Sequence, residues 1–169
     1  PDVLTDATAE MAWALLFTAA RRVVESDEQM RSGRWPGWGP LQFIGGDISG
    51  KTLGIVGAGR IGTAMALKSL GFNMKVLYFD TQPNETIEKR LNARRVELPE
   101  LLSESDFVSI HTPLLPETRH LFTIDTIKKM KATAYLINTS RGPVIKETDL
   151  LKALQDKLIA GAGLDVYEN

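Results

Sequence analysis

TLGIVGAGRIGTAMALKSLGFNMKVLYFD, residues 52–80, is the stretch on which the fold turns. Thr52 to Val56 is a short, continuous apolar run, the pattern of a strand covered on both faces. Gly57-Ala58-Gly59-Arg60-Ile61-Gly62 follows as G-x-G-x-x-G. Arg60 to Leu70 predicts a helix, and Met74 to Asp80 predicts a second strand. The glycine pattern has little force alone. Here a strand precedes it, a helix follows it, and an acid ends the next strand, as dinucleotide binding requires. Gly57 permits the tight turn, Gly59 lets the backbone approach a pyrophosphate, and Gly62 lets the helix pack close to the strand. The N–H groups and dipole at the helix start then favour an anion. Asp80 lies eighteen residues past Gly62, where a carboxylate accepts bonds from ribose hydroxyls and repels a 2′-phosphate. Thr81, Gln82 and Pro83 come next, with no arginine among them, so NAD rather than NADP is expected.

The same alternation extends in both directions. Thr86 to Leu91 predicts a short helix, Arg94 to Val96 a weak strand, and LPELLSES (98–105) a helix. DFVSIH (106–111) is a strand, Ile124 to Met130 a helix, and ATAYLIN (132–138) a strand. Glu147 to Gln155 is a helix, and LIAGAGLDV (158–166) is a last strand. Strands and helices in alternation imply right-handed crossovers and a parallel sheet with helices on both sides. The fold class is therefore α/β: a doubly wound (Rossmann) sheet of six or seven strands, one dinucleotide-binding domain over residues 1–169. Ahead of it, Asp6 is placed to cap a helix carrying Trp13, Leu16, Phe17, Ala20 and Val24 at helical spacing, running to about Arg31. That helix is apolar on more than one side and predicts an interface, most simply a homodimer through residues 7–30. A loop rich in Gly and Pro, RSGRWPGWGPLQFIGGD (31–47), follows.

Composition narrows the function. A formal net charge of −1 leaves no bulk field to draw the chain onto nucleic acid or an anionic membrane. With no cysteine, there is no disulfide framework, no cysteine-ligated zinc and no cysteine nucleophile. His111 and His120 lack a third ligand type at useful spacing, so no metal site is expected. His111 reads as the end of a strand near the cofactor edge, and His120 as structural. Met11 to Ala20, the longest apolar stretch, is too short for a bilayer, and a cytoplasmic setting is expected. GGDISGKT (45–52) matches a P-loop in letters, but a strand rather than a helix should follow it. Asn84-Glu85-Thr86 and Asn138-Thr139-Ser140 match glycosylation acceptors without any sign of secretion. Trp35 and Trp38 have no basic patch beside them, and packing is their expected role.

Six segments, in order, give the chain a specific resemblance: DATAE (6–10), GKTLGIVGAGRIG (50–62), Asp80, HTPLLPET (111–118), INTSRGP (137–143) and GAGLDVYE (161–168). It resembles the NAD-binding domain of the D-isomer-specific 2-hydroxyacid dehydrogenases, most of all the glyoxylate/hydroxypyruvate reductase branch. The resemblance implies NAD as cofactor and a small 2-oxo or 2-hydroxy acid as substrate. It places Arg60 and Ile61 at the pyrophosphate and Asp80 at the adenosine ribose. It places Thr112, Pro113 and Thr118 on the adenosine side, and Thr139, Ser140 and Asp165 beside the nicotinamide. Thr8 would contact the cofactor from the first helix, and Arg141 would be the catalytic arginine. The residues support that last role, because Asn138 to Arg141 follow a strand at its carboxyl end, where open α/β sheets bind ligands. An arginine there can grip a carboxylate with two parallel bonds. The family's glutamate, five residues past Asp165, its catalytic histidine and its substrate domain would all lie outside these residues. The start at Pro1 and the end at Asn169 are those expected of a piece cut from a longer protein, inactive by itself. Two other functions fit the same domain: an NAD-sensing corepressor-type protein of this family, and the Rossmann domain of an adenosylhomocysteine hydrolase-like enzyme.

Overall fold

The computed structural model describes residues 3–168. In chain order they form α1 (Thr5–Ala20), α2 (Val23–Arg31), β1 (Thr52–Val56), α3 (Arg60–Lys68), β2 (Lys75–Phe79), α4 (Glu85–Leu91) and β3 (Arg94–Arg95). Then come α5 (Leu98–Glu104), β4 (Phe107–Ile110), α6 (Ile124–Ile127), β5 (Tyr135–Asn138), α7 (Glu147–Gln155) and β6 (Gly161–Leu164). The six strands make one parallel sheet in the order β3-β2-β1-β4-β5-β6. The order reverses between β1 and β4, so a crevice opens outside their carboxyl ends.

Side chains along each strand alternate between two apolar layers. Leu53, Ile55, Val76, Tyr78, Phe107 and Ile137 face a layer built with α1 and α3. Val56, Leu77, Val108, Ile110 and Leu136 face the layer that holds Leu101, Phe122, Ile127 and Leu150. Both faces are covered, which is why the strands read as unbroken apolar runs. A core on both faces of its own sheet lets this chain fold by itself.

The expected alternation is present, with shorter elements. The strands end at 107–110, 135–138 and 161–164, and the helix from Ile124 is regular only to Ile127 before turns take over. The long first helix is instead two. Gly46 N–H donates to Ala20 O (2.8 Å), and Arg22 turns left-handed (φ 53°), so the docked loop ends α1 and α2 restarts at Val23. Asp6 is not the cap. It lies inside the first turn of α1, behind Leu4, and pairs with Lys68 of α3 (3.0 Å). Trp13 turns inward and donates Nε1–H to Met65 O (3.1 Å). Leu16 is buried and Leu15 and Phe17 are partly buried, so the apolar breadth of α1 is spent on this chain's own core. The tryptophans of the following loop do not pack: Trp35 is 50% exposed and Trp38 86%.

Candidate dinucleotide site

The turn after β1 is shaped by its glycines. Gly57 has φ +93°, a left-handed conformation that side chains disfavour. A Cβ there would also come within 2.9 Å of Thr112 N, on the neighbouring strand's exit loop. A Cβ on Gly62 would strike the Gly57 carbonyl oxygen, so its absence lets α3 seat on the turn. Apart from its chain neighbours, no described atom lies within 4 Å of the Cβ position of Gly59, leaving an open face at the start of α3. Arg60 and Ile61 form the first turn of α3 beside it.

Asp80, at the end of β2, reaches back to this turn. Its Oδ2 accepts Ala58 N–H (2.7 Å), and its Oδ1 accepts Gln82 N–H (3.2 Å). Two backbone donors hold the carboxylate at the turn, with acceptor capacity left for ribose hydroxyls. The sequence places no arginine directly after Asp80, but the fold brings one there from β3. Arg95 donates to the carbonyls of Asp80 (3.1 Å) and Thr81 (2.9 Å). The pairing of β3 with β2, which puts Tyr78 beside Arg95, brings it there, and no local sequence spacing marks it. Asn84, which matches a glycosylation acceptor, is instead bonded into the turn through Ala58 O (2.8 Å).

The exits of β4 and β5 form the other wall. In register, Ile110 lies beside Asn138, which sets His111 next to Thr139. His111 bonds Ser109 through Nε2 (2.8 Å), while its Nδ1 is sealed from solvent with no partner among the described residues. Thr112 Oγ1 and Thr139 Oγ1 are buried and unpartnered in the same way. Such atoms cost about 1–3 kcal/mol each when left unsatisfied, so three of them at one crevice fit a polar ligand. Burial lowers the His111 pKa to about 4, leaving the ring neutral at physiological pH. Thr118 Oγ1 accepts Leu115 N–H (2.8 Å) and donates to Pro113 O (2.6 Å), so this side chain shapes the loop that carries Pro113.

Asn138, buried at the end of β5, folds the segment after it. Its Nδ2 donates to Arg141 O (3.0 Å), and its Oδ1 accepts from the N–H (3.0 Å) and hydroxyl (2.8 Å) of Ser140. No motif spacing in the sequence marks Asn138 for this role. Arg141 projects exposed from this turn, one guanidinium N–H on Ser140 O (2.7 Å). Asp165 N–H donates to Asn138 O (3.0 Å), which brings Asp165 to the same edge. A Cβ on Gly142 would collide with Tyr167 O, so the segment after β6 runs directly behind Arg141. There His120 Nε2 meets Glu168 Oε1 at 2.6 Å, a bridge that agrees with a structural role for His120. That bond holds the Glu168 carboxyl below the usual carboxylate range, with Glu147 N–H and Arg119 adding to it against desolvation.

The structure thus gathers Gly57, Gly59, Arg60, Ile61, Gly62, Asp80, Thr112, Thr139, Ser140, Arg141 and Asp165 along one sheet edge. Thr8 lies half-buried in α1 and makes no side-chain hydrogen bond among the described residues. A surface hollow of about 460 Å³ lies elsewhere, lined by Leu15, Arg22, Tyr135 and Gly161 among others. The described residues gather no cluster of three or more metal-ligating His, Asp or Glu side chains, and no helix long and apolar enough to cross a membrane.

Known proteins resemble this chain over nearly its whole length. Residues 13–169 match the family described as D-isomer specific 2-hydroxyacid dehydrogenase, NAD binding domain. A glyoxylate reductase of Korarchaeum cryptofilum is 52% identical over 169 residues, covering 99% of this chain and 51% of that protein. A glyoxylate reductase of Thermococcus litoralis is 51% identical over 172 residues, covering 99% and 52%. Among solved structures, the NAD-complexed D-isomer specific 2-hydroxyacid dehydrogenase of Lactobacillus delbrueckii ssp. bulgaricus superposes with a TM-score of 0.89 at 35% identity, covering 99% of this chain and 50% of that one. The chain spans about half the length of the curated relatives it matches.

Proposed function

Because the chain belongs to the D-isomer-specific 2-hydroxyacid dehydrogenases, through their NAD-binding domain, we propose that it serves hydride transfer between NAD(H) and a small 2-oxo or 2-hydroxy acid such as glyoxylate or hydroxypyruvate. The observation that carries this reading is the position of Arg141. It projects from the β5 exit, on the same edge as the glycine turn and the three unpartnered polar atoms. There its guanidinium would hold the acid's carboxylate and fix the adjacent carbonyl.

The other roles proposed are those the family resemblance implies. The first turn of α3, with Arg60 and Ile61 beside the open face of Gly59, would take the pyrophosphate. Asp80 would take the adenosine ribose. Pro113 and the loop closed by Thr118 would flank the adenosine, and Thr112 would meet the cofactor through its unpartnered hydroxyl. Thr139, Ser140 and Asp165 would border the nicotinamide, and Thr8 would touch the cofactor from α1. Bound NADH supplies the hydride. The proton must come from elsewhere: the His111 ring is neutral, and a guanidinium is a poor proton donor. We place the acid, and the substrate domain that excludes water, in the half of the relatives' length that this chain does not span. Met30, Trp35, Trp38, Leu41 and Ile44, all exposed on α2 and its loop, would be covered by a second copy.

The test is kinetic. In a protein of the relatives' full length carrying this chain, Arg141→Ala should cut turnover of glyoxylate or hydroxypyruvate at least about a hundredfold, the scale of lost substrate positioning. NADH affinity should stay nearly unchanged. Unimpaired turnover would remove Arg141 from the mechanism.

A further inference from the structure

We propose that Asn84 is a positioning residue of the dinucleotide site, aiming the backbone of the glycine-rich turn at the cofactor's pyrophosphate. The inference rests on the NAD-binding reading above and deepens it. Ala58 stands between Gly57 and Gly59, and its two peptide groups are held from opposite partners. Asp80 takes the N–H of Ala58 (2.7 Å). Asn84 Nδ2 donates to the Ala58 carbonyl (2.8 Å) and to Thr63 Oγ1 (2.7 Å), and Thr63 Oγ1 itself lies 3.2 Å from that carbonyl. In a planar trans peptide the C=O and the following N–H point in opposite directions. Pinning the Ala58 carbonyl on Asn84 and Thr63 therefore turns the Gly59 N–H the other way, where α3 begins. Gly59 is also the glycine of this turn whose Cβ position has no described atom within 4 Å apart from its chain neighbours.

Asn84 is itself held so firmly that it can do this. Its Oδ1 accepts from Thr86 N–H (3.1 Å) and Ile87 N–H (3.2 Å), capping α4, so both donors and both acceptor sites of the amide are used. Its backbone N–H donates to Tyr78 Oη (2.8 Å), and that buried hydroxyl in turn bonds Glu88. A residue needed only as a helix cap requires the oxygen alone. The two amide donors serve the turn.

Asn84→Ser separates the two tasks, because serine caps a helix well but carries no amide to donate to the Ala58 carbonyl. Thr63→Val removes the second donor to the Ala58 carbonyl and one acceptor of the Asn84 amide, but leaves in place the Thr86 and Ile87 N–H bonds to Asn84 Oδ1 that make the cap. Each variant is compared with the unmodified chain by NADH and ADP-ribose titration, thermal melting and the amide resonance of Gly59 in the ligand-free protein. Asn84→Ser should weaken NADH and ADP-ribose alike by about 5- to 10-fold, the size of one lost hydrogen bond, with little change in melting temperature and a shifted or broadened Gly59 amide. Thr63→Val should move affinity in the same direction by less. Unchanged affinity and an unmoved Gly59 amide in a folded Asn84→Ser chain would overturn the inference alone. So would a loss of affinity matched by a lower melting temperature with the Gly59 amide unmoved, which marks a cap and nothing more. An unmodified chain that binds neither ligand would overturn the NAD reading, and this inference with it.

Discussion

The buried ring of His111 makes stability depend on pH in a defined window. Burial lowers its folded pKa to about 4, while the unfolded ring titrates near 6.5. Below pH about 6.5 the unfolded chain binds a proton that the folded chain refuses until pH about 4, so folding stability falls as pH drops through that interval. Above it the contribution is fully present. In His111→Asn, the slope of melting temperature against pH over that window should flatten by about one proton's worth, and identical slopes would contradict the burial. The proposed role of Asp80 in cofactor choice is testable in the same way. Asp80→Ala should narrow the preference for NADH over NADPH, because the carboxylate's repulsion of a 2′-phosphate is gone, and a preference unchanged in parallel titrations would count against it. The roles of Gly57 and Gly62 were readable in sequence because a local pattern encodes them. Arg95, Asn84 and Asn138 were not. Arg95 and Asn84 meet partners 15 and 26 residues away, and Asn138 acts through a local turn that no spacing rule marked out.

At the far end of the strands, Asp106 ties three of them together. It accepts Thr52 N–H (2.9 Å) and the Lys131 ammonium (2.8 Å), and its carbonyl accepts Tyr135 N–H (3.0 Å). Burial works to raise its pKa, but the Lys131 bond, the Thr52 N–H and the positive charge of Lys131 and Lys51 outweigh it, so the pKa is lowered from 3.8. A depressed carboxyl stabilises the fold above its unfolded pKa and loses that contribution as pH falls through the folded value. At pH 7, Asp106→Ala should cost about 1–3 kcal/mol in denaturant unfolding while sparing NADH affinity, since it acts at the opposite end of the sheet from the crevice. Weakened NADH binding without lost stability would refute that separation. The order of helices and strands was readable because each strand is an apolar run with punctuated ends. The break between α1 and α2 was not, because it is imposed by Gly46 docking on the Ala20 carbonyl from 26 residues downstream. Asp6 shows the same limit: a good cap by type, it is drawn instead to Lys68 on a different helix.

Across the whole chain, the doubly wound sheet and the edge that carries the site follow from residues 52–80 and their repetition of strand and helix. The surface does not. The apolar breadth of α1 predicts an interface through residues 7–30; Trp13 and Leu16 face inward, while Met11, Val23, Val24 and Met30 of that span are exposed, as are Trp35, Trp38, Leu41 and Ile44 in the loop after it. The homodimer is accordingly expected through Met30, Trp35, Trp38 and Leu41. Light scattering after size exclusion should give about twice 18.6 kDa, and Trp38→Ser with Leu41→Ser should shift it toward one. A strict monomer at high concentration would remove the interface. The account's central claim is that this sheet edge is a dinucleotide site that selects NAD. Titration of the 169-residue chain with NADH and NADPH, followed by energy transfer from its tryptophans, tests it most directly. The predicted result is saturable binding of one NADH per chain, at least about tenfold tighter than NADPH, the scale of one unfavourable charge contact. No saturable binding, or equal affinity for both, would contradict it.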